Sequence, residues 1–279
     1  MTTKFFRGPV TLLVFVAAIS VGALGGRAQY DEPMQMPQPA QPQGKNESKQ
    51  AAPKVNKAEE EAYKAFYASR TGAPPTQVQL GEDFIKKFPT SRYLPGVYAQ
   101  LTTAYYAMGD EDRMFVDGAK AIELSPDNVD ILSLMAMTIP RRIKSTTPDS
   151  AQQMQKAEAY AHHAIELIPN LPKPPEVDDA TFAQVKNDKL SMAHSGLGLI
   201  DINHQKYDDA RTELMQAVQL ASNPDPVDYF LLGNADVQGS YFNDAVAAYD
   251  KCAASGPLMA QCKSREESAK HDAATKLGR

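Results

Sequence analysis

One block of this chain occurs twice. Residues 194–217, HSGLGLIDINHQKYDDARTELMQA, return at 229–252 as YFLLGNADVQGSYFNDAVAAYDKC, a shift of 35 residues. Leu197 meets Leu232, Gly198 meets Gly233 and Asp201 meets Asp236. Further along, Tyr207 meets Phe242, Ala210 meets Ala245, Leu214 meets Tyr249 and Ala217 meets Cys252. Large residues align with large ones and small with small. A period of this length marks a small helical unit that cannot bury its own apolar face, so copies must stack to close a core. The apolar residues recur at helical spacing, and no stretch alternates every second residue for long enough to be a strand. The expected fold class is all-α: an alpha-solenoid of stacked antiparallel helix pairs.

The pattern extends upstream. AKAIELSPDN (119–128) returns as AHHAIELIPN (161–170), pairing Ala121 with Ala164 and Pro126 with Pro169 at a shift of 43. The surplus fits the connection RRIKSTTPDS, 141–150. Earlier helices are expected over 57–70 and 76–88, then from a Ser91 cap through 108, with Gly109 and Asp110 turning the chain into a helix over 111–125. The repeat domain therefore spans 57–279, with units at 57–90, 95–128, 129–170, 191–224 and 226–257 and a polar capping helix over 258–276. The proline-rich, acidic LPKPPEVDD at 171–179 interrupts the spacing. Two arrangements stay open there: a continuous stack with an inserted loop, or two sub-arrays meeting at a bend.

Residues 226–257 carry Tyr229, Leu232, Gly233, Ala245, Tyr249 and Pro257 at fixed offsets. The second unit carries Tyr98, Leu101, Tyr105, Ala121 and Pro126, and the third carries Leu132, Met135, Ala136, Ala157, Ala164 and Pro169. This series resembles the tetratricopeptide repeat (TPR) family, whose unit is a helix–turn–helix of about 34 residues. The resemblance covers roughly 95–257, with a degenerate unit at 57–90. Departures are Thr102 in a glycine slot, Met114 and Gly118 in the alanine and aromatic slots, and Asp236 where an aromatic is expected. The resemblance implies protein or peptide binding on the groove of first helices, without catalysis. Packing slots fall to Leu101, Tyr105, Ala121, Ala164, Leu197, Gly198, Ala210, Leu214, Leu232, Gly233, Ala245 and Tyr249, and the closing slots to Pro126, Pro169 and Pro257.

The N-terminus has the grammar of export. Lys4 and Arg7 precede an uncharged, mostly apolar run at 9–26, and Gly26-Arg27-Ala28 puts small residues where a signal peptidase cuts. Residues 1–28 are read as a signal peptide or an N-terminal anchor. Residues 29–56 are rich in Gln and Pro with little to bury, the composition of a disordered linker. The expected location is exported, periplasmic or cell-envelope; the alternative is an inner-membrane tether through residues 9–26.

Net charge is −5 for the 279 residues. The first 28 hold three cations and no acid, so the remainder carries 26 basic and 34 acidic residues. That balance, with no basic run, argues against nucleic acid. No glycine-rich loop follows a strand, and no HExxH or CxxC occurs, so no cofactor or metal is expected. His162 and His163 are adjacent and diverge on a helix; His194 occupies the slot of Tyr229 and is read as a packed helix residue. Asp110, Glu111 and Asp112 suit a turn and helix start. Arg141, Arg142 and Lys144 are read as a solvated basic face. Cys252 and Cys262 are most simply two small buried residues, with a local bridge the other reading. The expected partner-contacting residues are Asp201 and Asp236, which share one slot in sister repeats, with Asn203 and Asn234 as accessories. They would offer charged hydrogen bonds to a basic or amide-rich peptide. The functional expectation is a scaffold for a protein or peptide partner and no enzyme. The alternative is a structural, self-associating component of a cell-envelope assembly.

Overall fold

The computed structural model describes residues 56–143, 148–254, 256–276 and 278. The signal or anchor segment, the Gln/Pro-rich linker up to residue 55 and Lys144 lie outside these residues.

Side-chain caps set several of the helix starts. Asn56 accepts from the amides of Ala58 and Glu59 and opens α1 (Lys57–Ala68). Pro74 and Pro75 sit in the first turn of α2 (Pro74–Lys87), where a missing N–H costs nothing. α3 (Leu94–Met108) starts later than a Ser91 cap would place it, because Leu94-Pro95 begins the helix and Ser91 instead accepts from Tyr93 N–H and donates to Glu59. Gly109, at φ 70°, ends α3. Asp110 caps α4 (Glu111–Leu124), Asn128 caps α5 (Val129–Arg142) and Asp178 caps α7 (Asp179–Asn203). Asp225 caps α9 (Pro226–Gln238). The remaining helices are α6 (Ser150–Leu167), α8 (Tyr207–Leu220), α10 (Phe242–Ala253) and α11 (Met259–Thr275).

The helices pack as α1/α2, α3/α4, α5/α6, α7/α8 and α9/α10, and each second helix also meets the first helix of the next pair. The stack is continuous across the proline-rich connection, because α7 packs on both α5 and α6. α11 closes the series on α10. This is the TPR-like solenoid of antiparallel pairs, with no strand among the described residues.

The repeat slots explain the packing. A Cβ on Gly198 would come 2.5 Å from Leu214, and one on Gly233 would come 2.7 Å from the Tyr249 ring. Each of these two glycines thus receives the large residue of its own second helix. Leu101, Tyr105, Ala121, Ala164, Leu197, Ala210, Leu232, Ala245 and Tyr249 are buried. Pro126, Pro169 and Pro257 are exposed and stand just past the ends of α4, α6 and α10. Gly196 makes a tighter contact than any of these: its Cβ would lie 2.2 Å from the carbonyl oxygen of Ala136, where α7 crosses α5.

Cys252 and Cys262 are both fully buried and form a disulfide. This corrects the simpler reading of two unlinked small residues. The small-residue slot of α10 faces the first turn of α11, and the two Cα atoms stand 5.9 Å apart, within bridging range.

Candidate interaction surface

One register rule connects the pairs. The residue three positions after the small slot of a first helix faces the second helix of the preceding pair. There it meets the residue that follows that helix's own small slot. Tyr105 donates its hydroxyl to Glu82 at 2.6 Å. Ile139 and Phe115 join one apolar cluster. Arg211 donates to Asp236 at 2.8 Å and to Asp244 at 2.6 Å. Asp201 instead feels Glu158, a like charge.

The two sister acids therefore have opposite surroundings. Asp236 is buried, and burial pushes its pKa up to about 6 against the opposing pull of Arg211. Asp201 is partly exposed, with Lys206 Nζ 3.8 Å away. Burial raises its pKa, Lys206 opposes, and Asp209, Glu213 and Glu158 reinforce the rise. The two acids share no neighbour among these groups. Asn234 accepts from the Tyr249 hydroxyl at 2.8 Å, while Asn203 is exposed at the end of α7.

The face formed by the first helices carries a second network that sequence reasoning missed. Arg141, on the last turn of α5, donates to Asp225 at 2.7 Å and to Asp228 at 2.7 Å. It also donates to Ser195 Oγ on α7 at 2.9 Å, and Ser195 in turn donates to Asp228 at 2.6 Å. Asp228 is buried, which raises its pKa, while Arg141 and Ser195 pull it back. The Nε of Arg141 has no hydrogen-bond partner. Tyr106, 42% exposed on α3, feels Arg141, Asp225 and Asp228 electrostatically. Arg142 pairs with Asp112 at 2.5 Å and Glu111 at 3.4 Å. Arg141 and Arg142 are thus committed to internal ion pairs, which corrects their reading as part of a solvated face. The available signal was two acids flanking Pro226 at a helix start, but their partner lies 84 and 87 residues away in sequence.

His194 bonds Glu213 at 2.6 Å between α7 and α8. No group of three His, Cys, Asp or Glu side chains among the described residues is arranged to hold a metal ion. No helix among the described residues is long and apolar enough to cross a membrane.

No family profile and no curated protein matches this chain. Among solved structures, it is similar to a thermophilic TPR protein of Thermus thermophilus at 16% identity. That match covers 76% of this chain and 99% of that one, with a TM-score of 0.46. It is also similar to an assembly chaperone of RpL4, at 10% identity over 79% and 97% of the two chains with a TM-score of 0.49. A MamA double mutant matches at 12% identity over 79% and 99%, with a TM-score of 0.45. With similarity at this level, the helix-pair architecture rests on the packing described above.

Proposed function

We propose that this chain is an exported or membrane-tethered scaffold that binds a protein or peptide partner on the face of its first helices. The observation that carries the reading is the mixed surface these helices leave open. Thr103, Tyr106, Asn203 and Gln238 are exposed on α3, α7 and α9. Amide, hydroxyl and aromatic groups of this kind suit an extended polypeptide, whose backbone offers donors and acceptors along its length. Asp201 and Asn203 are the contact candidates among the expected residues. Asp236 and Asn234 act on the same surface from beneath, through the internal bonds they make.

Export is supported by the basic, apolar and small-residue succession at residues 4–28. The Cys252–Cys262 bridge suits an oxidising compartment.

A photo-crosslinking amino acid at Asn203 or Tyr106 should capture a discrete partner in the native cell. The same group at Val116, exposed on α4, should not. Equal capture at all three positions would overturn the assignment of the face. Sequencing the mature N-terminus tests export: a chain beginning at Gln29 supports cleavage, and one retaining Phe5 supports the tether.

A further inference from the structure

In a stacked array each unit normally touches only its neighbours. The Arg141 network breaks that rule. It runs from the third pair to the fifth, over Ser195 of the fourth. Its path crosses a lightly packed junction on the first-helix face. α5 and α7 pack densely, with backbone against backbone at Gly196, whereas α7 and α9 touch only lightly. The fifth pair is therefore held by its α8–α9 packing and by two ionic ties on separate arginines. One is Arg211 to Asp236 and Asp244, reaching from the preceding pair. The other is Arg141 to Asp225 and Asp228, reaching from two pairs away. The second tie grips the first turn of α9, including its capping residue.

We propose that Arg141 is a latch that fixes the opening between α7 and α9, so that the fifth pair and α11 form a terminal body that hinges on the rest of the stack. The latch suits reversible use. The Arg141 side chain keeps 21% of its surface exposed, and its partner Asp225 is 40% exposed. Water and other ions can therefore compete for Arg141. Asp228 is buried, at 5% exposure, and Ser195 holds it in place when the arginine lets go. The acid side of the latch stays preformed while the arginine side exchanges. A segment lying on this face would meet a surface whose width the latch sets.

Spin labels placed by Gln155→Cys on α6 of the third pair and Asp250→Cys on α10 report the hinge. Both sites are exposed, and the native cysteines are occupied by their bridge. In the otherwise unaltered full chain the label distance should be narrowly distributed. Arg141→Met should shift it to longer distance and broaden it, with helix content by circular dichroism unchanged. Asp225→Asn with Asp228→Asn removes the other half of the latch and should do the same, and it decides the matter if Arg141→Met fails to fold. Arg142→Met, whose partners Glu111 and Asp112 lie on α4 of the second pair, should leave the distribution as it was. An unchanged distribution in the latch variants, or an equal shift in the Arg142 variant, would overturn the proposal.

Discussion

Asp236 shows how a single buried acid shapes stability. Its folded pKa of about 6 lies above the ordinary aspartate value of 3.8, so between those values the folded chain binds a proton that the unfolded chain does not. Its contribution to stability is therefore full below the unfolded value and is lost as pH rises through about 6. Burial of Asp117 raises its pKa to about 6 as well and acts in the same window and direction. We expect the melting temperature to rise between about pH 7 and about pH 5, and Asp236→Asn to flatten part of that rise. Thermal melts of the two proteins across the range test this; equal slopes would show that the carboxylate does not titrate there. The sequence showed that Asp236 is a misfit for its slot, but its partner was out of reach of sequence reading. Arg211 looks like any surface arginine of an amphipathic helix until the register of pairs four and five brings the two together. Gly196 was overlooked for the opposite reason. Its sister position is Leu231, so the repeat marks Gly198 as a small slot and leaves Gly196 unmarked. Gly196→Ala should destabilise by about 1–3 kcal/mol or more, and by more than Gly198→Ala. Its clash is with a backbone carbonyl, whereas Leu214 can shift its side chain. Chemical denaturation of the two variants ranks them, and the reverse order would contradict the backbone contact.

At the scale of elements, caps and breakers in the sequence announced most of the helices. Asp110, Gly109 and the prolines lie where helices stop or start for local reasons, and local reasons are legible. The crossing of α5 and α7 and the continuity of the stack past the prolines are not local. They depend on how a 25-residue α7 lies across two neighbours. α11 is attached chiefly to α10, with a covalent link at its first turn. Only Cys262 and Ala269 are buried along its 17 residues, and Cys262 is bridged to α10. Replacing both cysteines with alanine should loosen the end of the stack by about 3 kcal/mol, the loop-closure term for a bridge this short. Hydrogen exchange should quicken in α11 and the facing side of α10 and stay as before in α1 to α4. A uniform increase along the chain would mean that the bridge stabilises the whole fold and does not serve chiefly to hold the cap.

For the whole molecule the question is how far a stack of pairs behaves as one cooperative body. In a repeat array, stability is close to a sum of unit and neighbour terms, so weak junctions let segments unfold separately. Here the first three pairs share a large apolar cluster that runs from Phe66 to Ala157 and reaches Ile200. The last pair has small clusters of its own, centred on Tyr249 and on the cysteines. Between them, α8 and α9 share a cluster with Leu214 and Leu232. The two arginine ties add polar links across that junction, each with a buried acid at one end. Removing one partner of such a pair leaves the other buried and uncompensated, so these ties should couple the segments strongly. Replacing Arg141 and Arg211 together with methionine should therefore do more than lower the melting temperature. It should split calorimetric unfolding into two steps, with the total enthalpy exceeding the van't Hoff value, as independent segments require. Each single replacement should lower the temperature with less splitting, because one tie remains. A single sharp transition in the double variant would mean that the α8–α9 apolar contact alone makes the stack cooperative, and that the ion pairs govern geometry at the junction without governing its unfolding.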